Sequence, residues 1–448
     1  MKVPVLIAGG GLAGLSCARE LSTSGRSYLL VEKERDPGGL CRTVLRDGFT
    51  FDYTGHFLHF QKPEIKRWVE SLIGGQLKER RRHAVIYSRG VYTEYPYQEN
   101  NAGLPSGVIR ENVLGYLEAV LRRRFKGVDP SAAGDFKTWS RQAFGDGLSE
   151  NFMFPYNEKL WKVPLHRLTT HWMGRFVPSP RVLEVLKGAF FKKPSASGYN
   201  ATFLYPDRGG ISVLPRAIAQ GLPNLWKGVG LQELDLSRRR ARLSSGLEVD
   251  FRYLVSSLPL PKLAALTKGL PRALALASKS LKATSIYNIN LGIRGPQPIP
   301  YSWVYFPEKE FTFHRAGSVS SCVPTVAPKG CASLYVEFSY GRGRPDPKTL
   351  GRQALQKLKK LNWIGSEKQV VTRVDLDLPG AYVVYDGLRD EITGELLEFY
   401  RKRGVHSIGR YGRWEYGSME SAIDQGIRTA QGIPPGARRG SGPSRPSP

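Results

Sequence analysis

The chain has 448 residues, enough for two or three domains with sizeable cores, and its 41% hydrophobic content predicts a globular protein. A net charge of +27, from 66 basic and 39 acidic residues, suggests an anionic partner, and a solvated surface rich in arginine is the alternative. The arginines form short clusters without interleaved aromatic residues, which argues against nucleic acid and allows weak contact with an anionic membrane surface. Without a membrane-length apolar stretch or room for a signal peptide, a cytoplasmic protein is expected.

Residues 5–14 read VLIAGGGLAG and predict a strand, a glycine turn and a helix start. Gly9, Gly11 and Gly14 fit G-x-G-x-x-G, in which the first glycine permits the turn, the second admits a pyrophosphate and the third allows close packing. The next strand, YLLVE, ends in Glu32, where a partner for a ribose hydroxyl is expected. The pattern predicts a dinucleotide site. The alternative is a plain βαβ unit whose glycines serve packing.

The stretch KERDPGGLCRT follows directly after Glu32. It resembles the G-G-x-x-R-T segment of the flavoprotein superfamily that contains amine oxidases, protoporphyrinogen oxidase, phytoene desaturases and UDP-galactopyranose mutase. The resemblance implies that the cofactor is FAD and that Gly38, Gly39 and Arg42 run beside it. A Pro-Gly-Gly surface turn is the alternative interpretation.

The four cysteines, Cys17, Cys41, Cys322 and Cys331, include no C-x-x-C pair. They are interpreted as reduced thiols and not as disulfides or metal ligands. We therefore predict no metal centre.

The remaining pattern predicts an α/β protein with a discontinuous Rossmann-type FAD-binding domain, a helical insertion and an antiparallel sheet on the substrate side. Helical periodicity dominates the second hundred residues, and strand-like runs return afterwards. The predicted division is 1–104 and 196–280 for the first two parts of the FAD-binding domain, 105–195 for the helical cap, 281–345 for the substrate sheet, 346–433 for the return to the FAD-binding domain, and 434–448 for a disordered tail.

The segment HSIGRYGRWEYGSMESAIDQGIRTA predicts a strand, a Gly409–Arg410 turn and a helix capped by Ser418. In the flavoprotein superfamily this element returns to the cofactor, so the resemblance implies that these three residues and Met419 lie at the flavin. The positive end of the helix would then stabilise a reduced flavin. An ordinary closing helix is the alternative.

Other short motifs are similar to those of the UDP-galactopyranose mutases. The stretch GHFLHF resembles the loop at the flavin face, which gives Gly55 and His56 as cofactor contacts. The other matches are NFMFPYNEKLWKVP, a following arginine, FTFHRAG and GRYGRWEY. They imply a substrate site made of Tyr156, Trp161, Arg175, Arg315 and Tyr416. Tyr382, in GAYVVYDG, is added as a hairpin tyrosine within reach of a sugar phosphate, and an ordinary hairpin tyrosine is the alternative. Four residues are expected in catalysis: His56, Arg175, Arg315 and Tyr416.

The resemblance implies a small-molecule substrate, a nucleotide sugar, which reacts through reduced flavin without net redox change. Two arginines suit a diphosphate because the guanidinium is a planar, permanently charged fork. The chain departs from the mutases at Phe154–Pro155 and after Tyr416, so the sugar stays open. Two alternatives also stay open: oxidative removal of a hydride from an amine, porphyrinogen or polyene, and a flavin-binding role without catalysis.

Overall fold

The computed structural model describes residues 1–173, 177, 180–192 and 202–434 of the chain. Arg175 and residues 435–448, which make up nearly all of the predicted tail, lie outside the described residues.

The N-terminal segment forms the predicted βαβ unit. It consists of β1 (Lys2–Ala8), α1 (Leu12–Thr23) and β2 (Tyr28–Glu32). The two strands pair in parallel, and all five residues of β2 are buried. Burial on both faces explains the uninterrupted apolar run in β2.

One α-helix and five strands lie between the end of β2 and residue 94 in the described part of the chain. They are β3 (Thr43–Arg46), β4 (Phe49–Asp52), α2 (Pro63–Ile73), β5 (Leu77–Arg81), β6 (Ala84–Ser88) and β7 (Val91–Glu94). Four α-helices follow, and the described part of 105–195 contains no strand. They are α3 (Ser106–Lys126), α4 (Phe136–Leu148), α5 (Phe154–Trp161) and α6 (Val182–Phe190).

Six strands and three short α-helices follow in the described part of the chain up to residue 278. They are β8 (Thr202–Pro206), α7 (Val213–Ala219), β9 (Leu225–Lys227), β10 (Leu231–Asp235), β11 (Arg240–Leu243), β12 (Glu248–Ser256), α8 (Leu260–Leu266), β13 (Thr267–Lys268) and α9 (Arg272–Ser278). The last third begins with long strands and ends in helices. Its elements are β14 (Ala283–Arg294), β15 (Trp303–Tyr305), β16 (Arg315–Gly317), β17 (Cys331–Tyr340), α10 (Pro347–Lys360), β18 (Val370–Val383), α11 (Arg389–Arg401), β19 (Val405–Ser407), α12 (Gly409–Gly412) and α13 (Met419–Gly432).

Two sheets organise the molecule. The first sheet has the order β13-β10-β11-β12-β1-β2-β9, with β19 also paired to β12. Its centre is parallel, as a Rossmann-type unit requires. The second sheet has the order β18-β14-β17-β16-β15-β6-β7 and is antiparallel apart from the β15–β6 pair.

The second sheet draws strands from three distant parts of the chain. Strands β6 and β7 come from the range assigned by sequence to the first part of the FAD-binding domain, and β18 comes from the range assigned to its return. Strand β7 pairs with β6 in a local hairpin, but β6 joins the sheet through β15, more than two hundred residues away in the sequence. Strand β18 pairs with β14 across several intervening elements, so local periodicity does not reveal how these strands join the sheet.

Several helix ends follow local capping chemistry. The side chains of Asp135, Asp346 and Ser418 accept hydrogen bonds from backbone N–H groups at the starts of α4, α10 and α13. Helix α3 ends at Gly127, whose φ of 63° is the left-handed conformation that glycine adopts readily. Among the described residues, no helix combines the length and the apolar character needed to cross a bilayer.

Candidate functional site

The glycine turn between β1 and α1 has three different steric requirements. Gly9 has a φ of +102°, and a side chain at Gly14 would place its Cβ 2.0 Å from the carbonyl oxygen of Gly9. At Gly11, by contrast, no atom lies within 4 Å of the position that a Cβ would take. The backbone of Gly11 therefore borders open space at the N-terminus of α1, where free N–H groups attract anions.

Glu32 and the second glycine pair lie beside this turn. The Glu32 carboxylate accepts hydrogen bonds from the N–H groups of Gly10 at 2.6 Å and Glu34 at 2.9 Å. Gly38 donates its N–H to the carbonyl of Gly10 at 2.7 Å, and Gly39 has a φ of +59°. The glycine turn at residues 9–14 and the pair Gly38 and Gly39, which are separate in the sequence, thus form one surface.

Arg42 lies at the edge of that surface. Its Nε donates to the carbonyl of Gly39 at 2.8 Å, and its guanidinium lies 4.7 Å from the centre of the Tyr53 ring. Its ion pair with Glu34 is long, at 3.6 Å. The arginine therefore retains hydrogen-bonding capacity for an anion.

The C-terminal segment returns to the same region. Gly409 has a φ of +75°, and a Cβ there would lie 2.9 Å from the Cβ of Ala13 in α1. Helix α13 packs on α1 so closely that a Cβ at Gly426 would lie 2.3 Å from the carbonyl oxygen of Ala13. Ser418 caps α13 by accepting from the N–H of Ser421 at 3.1 Å, and Met419 is the first helical residue.

Arg410 follows Gly409 and lies among carbonyl groups and tyrosine rings. It donates to the carbonyls of Gly417 at 3.2 Å and Ala381 at 2.9 Å, and its guanidinium lies 4.8 Å from the Tyr416 ring centre. No ion-pair partner for it occurs among the described residues. Burial works to lower the pKa of Arg410, but the neighbouring tyrosine oxygens raise it above its ordinary value. Its buried Nε has no hydrogen-bond partner in the described part of the chain.

The loop with Gly55 and His56 packs against the second sheet. A Cβ at Gly55 would lie 2.7 Å from the indole of Trp303, so only glycine allows this approach. The Nδ1 of His56 lies 3.1 Å from the carbonyl of Thr54, which can only accept; Nδ1 therefore carries the proton and Nε2 is an acceptor. Burial lowers the pKa of His56 to about 4, so the ring is neutral near pH 7.

Arg315 projects from β16 beside Glu337 of β17. Its Nε donates to the Glu337 carboxylate at 2.6 Å, and its guanidinium lies 3.9 Å from the ring centre of Trp303. Arg315 is 7% exposed and Glu337 is fully buried. Burial works to lower the pKa of Arg315, but the Glu337 carboxylate holds it well above its ordinary value. Burial works to raise the pKa of Glu337, but Arg315 and His314 together hold it below its ordinary value.

Three predicted substrate residues surround these arginines. The rings of Tyr382 and Tyr416 are stacked with centres 6.1 Å apart, and the Arg410 guanidinium lies 5.4 Å from that of Tyr382. Tyr156 contacts Tyr305 edge-on at 5.2 Å. Arg315 interacts electrostatically with both Tyr156 and Tyr416, and Arg410 lies against Tyr382 and Tyr416. The two arginines and three tyrosines therefore form one cluster, which we call the candidate pocket.

Trp161 lies behind this pocket instead of lining it. Its indole is 1% exposed, donates to Asn157 at 3.1 Å and packs against Trp172 at 4.9 Å. It contacts the edge of Tyr382 at 6.0 Å. In this conformation the indole supports Tyr382, so direct contact of Trp161 with a substrate stays a prediction. Arg175, the remaining predicted site residue, lies outside the described residues.

Several residues at the pocket did not emerge from the sequence. Trp303 and Tyr305 alternate along β15, and Tyr305 stacks on Tyr95 at 5.4 Å. The guanidinium of Arg82 lies 5.7 Å from the Tyr95 ring and 5.9 Å from that of Trp303. The alternation of aromatic residues in SWVYF is a sequence pattern that could have indicated Trp303 and Tyr305. Arg82 is the last of three consecutive arginines, and nothing in the sequence distinguishes it from Arg80 and Arg81.

Two buried donors at the site, Arg410 Nε and Trp303 Nε1, lack partners among the described residues. Together with the open space beside Gly11, they fit a bound cofactor or substrate that supplies acceptors. The described residues contain no group of three or more His, Cys, Asp or Glu side chains placed to hold a metal ion.

Comparisons with solved structures show which known folds the whole chain resembles. The crystal structure of reduced UDP-galactopyranose mutase superposes with a TM-score of 0.88 and 26% identity, covering 96% of this chain and 95% of that one. Cyclohexylamine oxidase from Brevibacterium oxydans IH-35A has the same fold, with a TM-score of 0.69 and 15% identity over 96% of this chain and 98% of its own.

Curated relatives match over short stretches only. The 4,4'-diapolycopene oxygenase of a Methylomonas species is 48% identical over 48 residues, which is 11% of this chain and 10% of the relative. The chain-wide evidence is the family model of flavin-containing amine oxidoreductases, which matches residues 12–434. The predicted flavoprotein resemblance and fold class are therefore confirmed, and the chain belongs to the flavin-containing amine oxidoreductase family.

Proposed function

We propose that the chain binds FAD between its N-terminal and C-terminal segments. Gly9, Gly11 and Gly14 would receive the pyrophosphate at the start of α1, and Glu32 would accept from the ribose hydroxyls. The flanking cofactor contacts would be Gly38, Gly39, Arg42, Gly55, His56, Gly409, Arg410, Ser418 and Met419. The support for this assignment is the open space beside Gly11, together with the partnerless donor on Arg410.

The cofactor is identified by heating the purified protein and analysing the released nucleotide. FAD is expected; release of a nicotinamide dinucleotide would contradict the proposal. Gly11→Val should abolish FAD binding while the protein stays folded, because a Cβ at Gly11 meets no protein atom within 4 Å and the side chain would occupy the proposed pyrophosphate space. Gly75→Val is the matched control, since Gly75 also borders open space but lies outside the site.

We further propose that the enzyme acts on a nucleotide sugar in a reaction without net redox change, as UDP-galactopyranose mutase does. What supports this is the cluster of Arg315 and Arg410 with the rings of Tyr156, Tyr382 and Tyr416. Arginine forks suit a diphosphate, and tyrosine rings suit a base or the apolar face of a sugar. Arg175 and Trp161 are carried into the proposal from the sequence resemblance alone.

The charges of the pocket suit such an anion. Glu337 balances the charge of Arg315 and His56 is neutral, whereas Arg410 contributes a positive charge with no ion-pair partner among the described residues. Arg315 can donate to one phosphate while Glu337 fixes its guanidinium, and Arg410 attracts the second negative charge. Tyr416 borders both sets of groups and would orient the sugar. Reduced flavin, when bound, would supply an electron-rich nitrogen as the nucleophile, and the N-terminus of α13 would stabilise its negative charge.

The test is anaerobic incubation of the yellow protein with UDP-sugars, with and without dithionite. We expect conversion of a UDP-sugar by the reduced enzyme only, with no net consumption of reductant. Equal turnover by oxidised enzyme would contradict the proposal.

The second candidate is an oxidase or dehydrogenase acting on an amine or another small organic molecule. The match of the amine oxidoreductase family model across residues 12–434 favours it. The same experiment separates the two, because an oxidase consumes oxygen with its substrate and leaves UDP-sugars unchanged.

A further inference from the structure

Helix α3 exposes a row of large apolar side chains. Leu114 is 53% exposed, Leu121 53% and Phe125 75%. Their spacing of seven and four residues places them on one side of the helix. Asn112, Tyr116 and Ala119, on the opposite side, are buried. The apolar row is therefore additional to the face that α3 uses for packing.

Basic side chains flank this row. Arg110, Arg122 and Arg124 are exposed on the same helix. Arg122 pairs with Glu118 at 3.3 Å, and the Arg124 guanidinium lies 5.8 Å from the Phe125 ring. Over its whole length α3 carries five basic and two acidic residues.

The neighbouring helix repeats the pattern. In α6, Leu183 is 57% exposed and Phe190 is 77% exposed, again seven residues apart. The Tyr116 hydroxyl donates to the carbonyl of Pro180 at 2.6 Å and so joins α3 to the start of α6. Ten large hydrophobic side chains are exposed in the described part of the chain, and six of them lie within α3 or residues 183–191. Chance scatter of apolar residues over the surface would not concentrate them in this way.

We propose that the α3 face, made of Leu114, Leu121 and Phe125 with Arg110, Arg122 and Arg124, docks on an anionic phospholipid membrane. Apolar side chains flanked by arginines are the arrangement by which a helix lies in the membrane interface. The net charge of +27 adds long-range attraction to anionic headgroups. Charge also favours the membrane over a second copy of the chain, because two copies that each carry a net charge of +27 repel one another.

The full-length protein is tested by co-sedimentation with vesicles. One set contains phosphatidylcholine alone, and the other an equal mixture of phosphatidylcholine and phosphatidylglycerol. We expect binding to the mixed vesicles only, weakened by added salt. Leu121→Ser with Phe125→Ser should reduce the affinity at least about tenfold without changing the net charge. The matched control is Leu276→Ser with Leu388→Ser, at sites 56% and 57% exposed elsewhere on the surface.

Three outcomes would overturn the proposal. The first is that the parent protein fails to bind mixed vesicles. The second is that both double variants bind as the parent does, because binding would then depend on general charge attraction and not on the α3 face. The third is a dimer in analytical ultracentrifugation without vesicles that Leu121→Ser with Phe125→Ser dissociates, which would assign the face to a second copy. Both pairs of residues are exposed and lie outside the proposed cofactor site, so both double variants should fold and keep bound flavin. Circular dichroism and the flavin content of the purified variants check this.

Discussion

At the scale of single residues, the Arg315–Glu337 pair determines how the pocket can bind an anion. Both side chains are buried, so neither charge is stable there without the other. Glu337 fixes the Arg315 guanidinium above Trp303, and the opposite charges of the two side chains cancel. Removing the arginine therefore has two effects, one on binding and one on folding.

We expect Arg315→Ala to weaken UDP binding about tenfold to a hundredfold, since a hydrogen bond to a charged group contributes roughly 1.5–3 kcal/mol. It should also lower the free energy of unfolding by roughly 3–5 kcal/mol, because Glu337 stays buried without its partner. Adding Glu337→Gln should restore part of the stability but not UDP affinity. Calorimetry and urea unfolding separate the two effects.

Arg373→Ala is the control for this pair. Arg373 binds Asp375 at 2.6 Å on β18, where both side chains are partly exposed. Its loss should leave UDP affinity unchanged. Unaltered UDP affinity in Arg315→Ala would remove Arg315 from the proposed binding site.

His314, the neighbour of Arg315, links stability to pH. Burial lowers the pKa of this ring from 6.5 to about 4. As the pH falls from about 6.5 to about 4, the unfolded chain gains a proton that the folded chain rejects, so stability falls. His56 acts in the same direction, whereas Asp52, whose pKa burial raises to about 6, acts in the opposite one.

Urea unfolding at about pH 7 and about pH 5 tests this linkage. The His314 contribution to the loss of stability between these pH values should be roughly 2 kcal/mol. His314→Gln should therefore lose less stability on acidification than the parent protein. His166→Gln changes an exposed histidine and should keep the parental pH dependence. Identical pH profiles for the two variants would contradict the assignment.

At the scale of elements, glycines set the distance between α3 and α4. A Cβ at Gly115 would lie 2.9 Å from the backbone nitrogen of Gly147, and one at Gly147 would lie 2.1 Å from the carbonyl oxygen of Glu111. The two backbones are therefore in direct contact, and this packing fixes which face of α3 is exposed.

We expect Gly115→Ala to destabilise the protein by roughly 1–3 kcal/mol, because the methyl group overfills the contact with α4. Gly107→Ala, on the same helix but with no atom within 4 Å of the new Cβ, should stabilise it by up to about 1 kcal/mol. Chemical denaturation followed by circular dichroism measures both changes. A shift of the same sign in the two variants would contradict close packing at Gly115.

At the scale of the whole molecule, the proposed FAD site joins the two ends of the chain. Residues 9–42 supply the glycine surface, and residues 409–419 approach it through the contact of α13 with α1. A ligand bound there would stabilise only the state in which both ends are docked.

The apoprotein should therefore unfold at a lower temperature than the flavin-loaded protein, and added FAD should raise the midpoint. At a hundred times its dissociation constant, a ligand adds about 2.7 kcal/mol. Thermal scanning with increasing FAD measures the effect, and NAD serves as the control nucleotide. An equal rise with NAD would contradict selectivity for FAD.

Much of the fold could be predicted because its signals are local. The glycine turn, the buried strand YLLVE and the capping by Ser418 each depend on residues within one or two turns of the chain. Such short-range patterns predicted the βαβ unit, the helical insertion and the closing helix. They also led, through resemblance, to the flavoprotein family.

By itself, the sequence determined the fold class, the dinucleotide-binding motif and the residue types available for an anion. Only the tertiary structure decided that β6, β7 and β18 share one sheet and that Glu337 neutralises Arg315. It also decided that Trp161 is buried behind Tyr382. These outcomes depend on strand pairing and packing between segments that are up to hundreds of residues apart in the sequence. A local periodicity does not specify which distant side chain a given residue will contact.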